Sequence, residues 1–429
     1  MQLLTSPAGG TPSVIETKSD FAKAISELAA GSGPIAIDAE RASGFRYSAR
    51  AYLIQIFRRG GGLHLIDPIS LKGSAEISNL NRLLETEECV IHAASQDLPC
   101  LREFGILPQK LFDTELGARI AGCERVGLGP LCENLLEISL AKEHSAVDWS
   151  IRPLRPEWLD YAALDVAVLI DLRDKVFELL ESQGKLDWAN QEFAAQLQIQ
   201  QVKVRNEPWR RTSGMHQIRT RPQMAIIREL WNKRDQIAAE IDLAPGRLLS
   251  DSVLIALAKS DVKTKDEFLA LSEAKMKIRN DLQQSYVETW LTAYLNAKSL
   301  IEKDWPQLRA KSDGLPPIKI WRDKYPLAHA HLTHARHNLN ELAVNLSLPL
   351  ENLLTPETLR RICFDNGHET KYQEPDVLLP IVENQLRASG ARQWQISKCA
   401  RLIAEALCQN EPLVLENLDD SEEAIEPAE

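Results

Sequence analysis

The N-terminal half of the chain alternates between short apolar runs and amphipathic segments, a pattern typical of an α/β domain. Three consecutive strands are predicted at 35–39, 52–57 and 63–66, with three glycines at 60–62 forming the turn between the last two. A further apolar run at 90–93 lies between segments of helical spacing near 76–84 and 98–104. The pattern therefore predicts a sheet flanked by helices.

The C-terminal half lacks strand signals. Residues 223–300 and 326–412 contain amphipathic helices and share a faint repeat at constant offset, in which Ser250 and Thr355 are both expected to be helix N-caps. The intervening residues 311–317, rich in Gly and Pro, predict a linker. Two all-α domains are therefore expected to follow the α/β domain.

Length and composition fit a globular protein of several domains. The chain has 429 residues, too many for one ordinary domain, with 44% hydrophobic and 26% charged residues. Seven cysteines without paired spacing predict reduced thiols. No apolar run is long enough to span a membrane and no signal pattern opens the chain, so we predict a cytoplasmic protein without a membrane partner.

The net charge of −11 is unfavourable for binding phosphates, but its distribution is uneven. Much of the acidic excess lies in the C-terminal tail, whereas the junction between the halves is basic. This junction either follows a phosphate backbone or is a solvated linker; its charged residues, interleaved with Trp209, are Lys203, Arg205, Arg210, Arg211, Arg219, Arg221 and Arg228. A histidine cluster on a predicted helix is interpreted as a solvated surface rather than a metal-binding or pH-sensitive face: His329, His331, His334 and His337.

Asp38 and Glu40 interrupt an apolar strand, and this is the main chemical signal. Successive side chains on a strand point to opposite faces, so these two carboxylates share one face. Buried unpaired carboxylates are costly, and two on one face repel each other. A divalent cation with oxygen ligands, Mg²⁺ or Mn²⁺, relieves both problems. The alternative is a pair of ordinary acidic residues near a strand end.

Asp97, Tyr161 and Asp165 are the other candidate site residues. Asp97 is predicted in the first turn of a helix, where the helix dipole favours an acidic residue and Ser95 is expected to be the cap. Tyr161 and Asp165 are four residues apart on a helix that starts near Pro156, so they project from one face. In isolation, Asp97 can simply be a helix-end residue, and Tyr161 with Asp165 a structural hydrogen-bonded pair.

Taken together, these segments resemble the ribonuclease D family of the DEDD superfamily of 3′–5′ exonucleases. The matching motifs are Asp38-x-Glu40, His92-Ala93-x-x-x-Asp97 and Tyr161-x-x-x-Asp165, and the stretches 63–68, 112–114 and 148–154 also fit. The resemblance covers about residues 15–200, and the combination is far more specific than any single motif. One departure is Ala39, where many relatives carry Thr. Ala39 points away from the carboxylate face, so we do not expect catalysis to depend on it.

The resemblance implies a ribonuclease H-like fold and a metal-dependent exoribonuclease. Two divalent ions, Mg²⁺ or Mn²⁺ and roughly 3.5–4 Å apart, would clamp the attacking and leaving oxygens, held by Asp38, Glu40, Asp97 and Asp165. Tyr161 would position the attacking water, since a tyrosine titrates near 10 and is a poor base. His92 is expected outside the catalytic set. The implied substrates are RNA 3′ ends, transfer RNA precursors above all, cleaved to nucleoside 5′-monophosphates.

The first helical region also resembles a known domain, the helicase-and-ribonuclease-D C-terminal (HRDC) domain, through Trp231-x-x-Arg234-Asp235 and Pro245-Gly246-Arg247. The second region looks like a degenerate copy. In this family such domains follow the nuclease and help to hold nucleic acid; pure structural spacing is the alternative. The predicted organisation is an exonuclease domain at 1–205, a basic linker at 206–222, an HRDC domain at 223–300, a linker at 301–325, a second HRDC-like domain at 326–412 and an acidic disordered tail at 413–429.

Two other functions compete with an exoribonuclease. A DNA exonuclease uses the same metal core, and the side chains that would recognise a 2′-hydroxyl cannot be placed from sequence. A catalytically inert RNA-binding adaptor is the second alternative, but it has no need of all five motif residues. The sequence shows no obligate protein partner and identifies no substrate-binding residues.

Overall fold

The computed structural model describes residues 2–141, 146–199, 206–309, 314–367 and 374–413. The chain divides into two compact units. The first holds Met1–Thr114, Gly127–Lys175 and Phe193–Lys311, and the second holds Glu115–Val126, Val176–Glu192 and Ser312–Glu429. Residues 115–126 and 176–192, which fall inside the predicted exonuclease domain, thus belong to the second unit. The predicted disordered tail lies outside the described residues from 414 onward.

The first unit is built around a six-stranded sheet in the order β2-β5-β4-β3-β6-β7. The pairs β3–β4 and β4–β5 are antiparallel, whereas the remaining pairs are parallel. Two further strands, β1 and β8, pair in parallel with each other. The strands are β1 (Gln2–Leu4), β2 (Val14–Ile15), β3 (Ile35–Arg41), β4 (Ala51–Arg58), β5 (Gly62–Ile66), β6 (Cys89–Ile91), β7 (Leu111–Asp113) and β8 (Ile138–Leu140).

The predicted strands are present: β3, β4 and β5 are slightly longer than their apolar runs, whereas β6 ends at Ile91, two residues before the predicted end. Ile35, Ala36 and Ile37 are fully buried at the centre of the sheet. The turn before β5 requires a small residue, because a Cβ on Gly61 would lie 2.9 Å from the Cα of Leu28. The α/β fold class with helical domains after it is therefore confirmed.

Helices cover both faces of the sheet, and α6 packs on β3, β4 and β5. Ala162 and Ala163 of α6 share a buried cluster with Leu53 and Leu65 of the strands. Small residues on the helix allow it to lie close to the sheet. The helices up to residue 198 are α1 (Lys18–Ala30), α2 (Ile77–Leu84), α3 (Ala94–Phe104), α4 (Thr114–Ile120), α5 (Leu128–Leu131), α6 (Pro156–Ala167), α7 (Leu169–Ser182) and α8 (Leu186–Gln198).

The first helical domain belongs to the same unit as the sheet. Its helices are α9 (Arg221–Glu240), α10 (Pro245–Leu248), α11 (Asp251–Lys259), α12 (Lys265–Ala270), α13 (Ser272–Lys277), α14 (Asp281–Ser285) and α15 (Val287–Lys298). Of the junction before it, Lys203 and Arg205 lie outside the described residues. Trp209 does not fit the solvated-linker interpretation, because it is 3% exposed within this domain's core. Two junction arginines are also paired internally, Arg210 with Glu207 and Arg221 with Glu302.

The loop that follows β3 is bound to this helical domain. The Asp242 carboxylate, just after α9, accepts hydrogen bonds from the Ser48 amide, the Arg50 guanidinium and the Tyr52 hydroxyl. The Arg247 Nε donates to the Gly44 carbonyl at 2.7 Å. Burial alone would raise the pKa of Asp242, but the hydrogen bonds from Ser48 and Arg50 outweigh it and lower the pKa to about 2. The helical domain is thus attached directly to the loop that leaves the candidate site.

The second unit contains the remaining helices, α16 (Trp321–Lys324), α17 (Pro326–Asn345), α18 (Leu350–Leu353), α19 (Pro356–Gly367), α20 (Pro375–Ala388) and α21 (Gln393–Ala406). Glu192 of α8 accepts hydrogen bonds from the guanidinium of Arg392 and from Trp394 Nε1, which explains why residues 176–192 group with this unit.

The solvated-surface interpretation of the histidine cluster is wrong for His331. This side chain is fully buried, and burial lowers its pKa to about 4.

The cysteines agree with the prediction of reduced thiols. All seven cysteines are free thiols, and five of them are buried. Of the helices in the described part of the chain, none combines the length and the apolar character needed to cross a membrane.

Candidate active site

Asp38 and Glu40 lie on one face of β3, as the alternation predicted, with the intervening Ala39 buried on the other side. In the antiparallel pairing with β4, Asp38 stands opposite Gln55 and Glu40 opposite Leu53. Directly opposite residues share a face. The two carboxylates therefore project from the face on which α6 packs.

Asp97 lies in the first turn of α3, as expected. The predicted cap at Ser95 is wrong, because the helix begins at Ala94 and Ser95 therefore lies inside it. The Asp113 carboxylate at the end of β7 accepts hydrogen bonds from the Ala93 and Ala94 amides at 3.0 and 2.9 Å. Asp113 thus caps the helix from the neighbouring strand. The capped helix brings the carboxyl group of Asp97 close enough to that of Asp38 for the two groups to repel each other when both are ionised.

Tyr161 and Asp165 project from α6, which begins at Pro156 as predicted. The tyrosine hydroxyl and the Asp165 carboxyl group lie one turn apart, close enough for the carboxylate charge to act on the hydroxyl. One carboxylate oxygen from each of Asp38, Glu40 and Asp165 lies within 4.8 Å of the other two. Three separate elements, β3, α3 and α6, therefore bring together all five residues that the sequence singled out.

Burial is the main cause of the raised pKa values of the four carboxyl groups in this cluster. It raises the pKa of Asp38 and raises those of Glu40 and Asp97 well above their ordinary values, with repulsion from neighbouring carboxylates adding to the shift of the last two. Burial and the charge of Asp38 raise the pKa of Asp165 to about 8. Without a cation, these carboxyl groups keep their protons to higher pH than exposed carboxyl groups do.

Tyr161 is a poor proton acceptor in this environment. Burial, followed by the negative charges of Asp165 and Glu40, raises the pKa of its hydroxyl above the ordinary value. The hydroxyl therefore keeps its proton and acts as a hydrogen-bond donor. His92, which the sequence analysis left outside the catalytic set, has its Nδ1 2.8 Å from Thr114 Oγ1.

The donor set fits a divalent cation. Every ligand offered is a carboxylate oxygen, which Mg²⁺ and Mn²⁺ prefer, and the pKa values of these groups are raised by burial and by their mutual repulsion. A bound cation would lower these pKa values by favouring the ionised carboxylates.

Sequence reasoning missed three residues around the cluster. Asp113 was part of a matching motif, but its capping role depends on the pairing of β6 with β7. Gln55 is a polar residue in an apolar strand and is fully buried opposite Asp38, and among the described residues its amide has no hydrogen-bond partner. Arg41 directly follows Glu40, and its guanidinium lies 3.5 Å from the Asp97 carboxylate. Its position in the sequence was the available signal.

Comparison with known proteins agrees with this site. Residues 12–181 match the model of a family described as 3′-5′ exonuclease, residues 223–291 match the HRDC domain, and residues 314–407 match a 3′ to 5′ exonuclease C-terminal domain. The exonuclease match contains all five candidate residues, and the HRDC match extends from the first turn of α9 into α15. The fold and the site together define a 3′–5′ exonuclease.

Individual relatives identify the family. Ribonuclease D from Escherichia coli K12 is 31% identical over 296 residues, covering 68% of this chain and 76% of that protein. Ribonuclease D from Granulibacter bethesdensis is 29% identical over 53% of this chain and 58% of that protein. A protein of solved structure from Bifidobacterium adolescentis is 36% identical, with a TM-score of 0.84 over 95% of this chain and 99% of that one. The chain belongs to the ribonuclease D family and is a 3′–5′ exoribonuclease.

Proposed function

We propose that this exoribonuclease trims the 3′ ends of structured RNAs, transfer RNA precursors among them, by two-metal hydrolysis that releases nucleoside 5′-monophosphates. The observation that supports the mechanism most is the convergence of four carboxyl groups from β3, α3 and α6, whose pKa values are all raised, chiefly by burial. The similarity to ribonuclease D supports RNA as the substrate class.

In this proposal Asp38, Glu40, Asp97 and Asp165 hold two divalent cations, Mg²⁺ or Mn²⁺. When bound, the cations acidify the attacking water and stabilise negative charge on the phosphate. The chain's own contribution is to fix the ligands before substrate arrives. Asp113 caps α3 and so orients Asp97, while the packing of α6 on the sheet sets Asp165 opposite β3.

Tyr161 positions the attacking water in this mechanism. Burial raises the pKa of its hydroxyl, so we do not propose it as a strong base; the hydroxyl lies on the same helix face as Asp165. Attack by the water oxygen forms a new P–O bond, the bond from phosphorus to the 3′ oxygen breaks, and that oxygen takes up a proton. The departing nucleotide keeps its 5′-phosphate.

The first helical domain is proposed to guide RNA toward the site. Asp242 and Arg247 of that domain hold the loop 42–50, which continues directly from the strand carrying Glu40. Arg210 and Arg221 are engaged within the domain, so we do not assign phosphate binding to them. The second helical region, matched to a 3′ to 5′ exonuclease C-terminal domain, is proposed as a second, more divergent RNA-holding domain.

The test is to incubate the full-length protein with 5′-labelled RNA and with DNA of the same sequence, with Mg²⁺, with Mn²⁺ or with EDTA. We expect stepwise shortening of RNA from its 3′ end, metal dependence, and mononucleotide products that carry a 5′-phosphate. A structured transfer RNA precursor with a 3′ extension should be shortened to its folded body. Faster degradation of DNA would favour the alternative DNA exonuclease, and RNA binding without cleavage would favour an inert adaptor.

A further inference from the structure

Arg41 lies at the edge of the carboxylate cluster, directly after Glu40. Its Nη2 is 3.5 Å from Asp97 Oδ1 and 3.4 Å from Gln96 Oε1. Across the described part of the chain, Arg41 is the one cation that the structure pairs with any of the four carboxylates. Its charge also opposes the burial that raises the pKa values of Asp38, Glu40 and Asp97. Arg41 thus supplies part of the countercharge for the metal-free cluster.

The contacts of Arg41 differ from those of a structural arginine in the same sheet. Arg58 is 4% exposed, donates to the Gly33 and Leu28 carbonyls at 3.0 Å each, and pairs with Glu87 at 2.9 Å. The Arg41 side chain is 26% exposed and makes two long contacts through a single nitrogen. A guanidinium held in this way can change partner without leaving a buried charge unpaired.

We propose that Arg41 is a catalytic residue, which exchanges Asp97 for the non-bridging oxygens of the scissile phosphate once metal and RNA are bound. The inference rests on the proposed two-metal function. Cations that bind the carboxylates replace Arg41 as the partner of Asp97, while the phosphate brings one negative charge that grows to two during attack. The planar fork of a guanidinium matches two phosphate oxygens. Arg41 keeps its proton throughout and stabilises the charge that develops.

This role predicts opposite changes in metal affinity and in rate for Arg41→Met. Mg²⁺ should bind about five- to tenfold more tightly, because a positive charge that competes for Asp97 is gone. Single-turnover cleavage at saturating Mg²⁺ and RNA should slow by about 10²- to 10³-fold, the usual loss for one donor aimed at developing charge. Arg41→Lys, which keeps the charge but not the fork, should bind Mg²⁺ nearly as the wild type does and cleave at an intermediate rate.

A matched control is Arg102→Met, because Arg102 lies on α3 like Asp97 but bonds the Ile199 carbonyl at 2.9 Å. The full-length proteins, freed of metal with EDTA, would be titrated with Mg²⁺ alone by calorimetry and then assayed on 5′-labelled RNA. A second RNA would carry a neutral methylphosphonate at its last linkage. If Arg41 contacts that phosphate, the neutral linkage should slow Arg41→Met less than it slows the wild type and Arg102→Met.

Three outcomes for Arg41→Met would overturn the role of Arg41. They are weaker Mg²⁺ binding than in the wild type, a single-turnover rate within threefold of the wild type, and a slowing by the neutral linkage as large as in the wild type. In each of these the wild type still cleaves RNA, so the proposed function survives. A wild type and an Arg102→Met variant that both leave RNA intact would instead contradict the proposed function and the phosphate contact together.

Discussion

Replacing Asp165 with asparagine should stabilise the metal-free protein while abolishing hydrolysis. The Asp165 carboxylate lies in a buried cluster with oxygens of Asp38 and Glu40 within 4.8 Å. Burial and the charge of Asp38 raise its pKa from 3.8 to about 8. Asparagine keeps the shape of the side chain, but it brings no charge to the cluster and removes a proposed metal ligand.

The size of the effect follows from the pKa of Asp165. The pKa rises from 3.8 to about 8, and each pKa unit corresponds to about 1.4 kcal/mol. Ionising Asp165 in the folded protein therefore costs at most about 6 kcal/mol more than ionising it in the unfolded chain. The charge of Asp165 also acts on Glu40, so the neighbouring carboxyl groups change their own protonation when Asp165 is replaced, which reduces the effect. We therefore expect the free energy of unfolding to rise by about 1 to 3 kcal/mol above pH 8, or a few degrees in melting temperature.

The pH dependence has a defined sign. Between about pH 4 and pH 8 the folded protein keeps a proton on Asp165 that the unfolded chain has lost. The folded state then binds more protons, so the contribution of this group to stability falls as pH rises through that window and levels off above pH 8. The advantage of Asp165→Asn should therefore be small near pH 4 and largest above pH 8.

The assay is thermal unfolding of the full-length protein in EDTA at pH 5, 7 and 8.5. Asp160→Asn is the matched control, because Asp160 lies on the same helix but accepts a hydrogen bond from Thr11 outside the cluster. Added Mn²⁺ should raise the melting temperature of the wild type more than that of Asp165→Asn. A variant that is no more stable than wild type at pH 8.5, or that retains near-normal turnover, would refute the assignment of Asp165 as a buried metal ligand.

Three further changes have defined outcomes. Tyr161→Phe should lower turnover by about 10²- to 10⁴-fold with nearly unchanged RNA affinity, and unchanged turnover would show that the hydroxyl only packs. Asp113→Ala leaves two amides at the start of α3 without their acceptor, so denaturant unfolding should show a loss of about 2 to 4 kcal/mol, and a neutral effect would contradict the capping role. Gly367→Ala should destabilise the second unit by about 2 kcal/mol or more in thermal melts, since the new Cβ would lie 2.1 Å from His331 Nδ1. Its control, Gly246→Ala, has nothing within 4 Å of the added carbon and should be neutral; equal effects in the two variants would contradict this account.

The parts of the fold that local pattern determines could be predicted from the sequence. The apolar run of β3 with acidic residues at alternate positions indicated both the strand and the shared face of Asp38 and Glu40. The spacing of Tyr161 and Asp165 indicated one face of a helix, which α6 confirms. In each case the periodicity of the backbone fixes the direction of the side chains, so no knowledge of distant contacts was needed.

Features that depend on pairing between distant segments could not be predicted. Ser95 was expected to cap α3, but Asp113, on a strand 18 residues later, takes that role through the register of β6 and β7. Trp209 looked like part of a solvated junction, yet it is buried in the core of the first helical domain. His331 lies on α17 and is fully buried beside Gly367 of α19. Composition and spacing carry no information on such partners.

The central claim is that Asp38, Glu40, Asp97 and Asp165 together hold the cations used in hydrolysis. The most direct measurement is anomalous diffraction from crystals of the full-length protein soaked in Mn²⁺, compared with crystals of Asp38→Asn treated in the same way. We predict two strong anomalous peaks between β3, α3 and α6 in the wild type, each within coordination distance of these carboxylate oxygens, and at least one peak lost in the variant. Crystals with no anomalous peak at the cluster, or with wild-type peaks that persist unchanged in Asp38→Asn, would contradict the account.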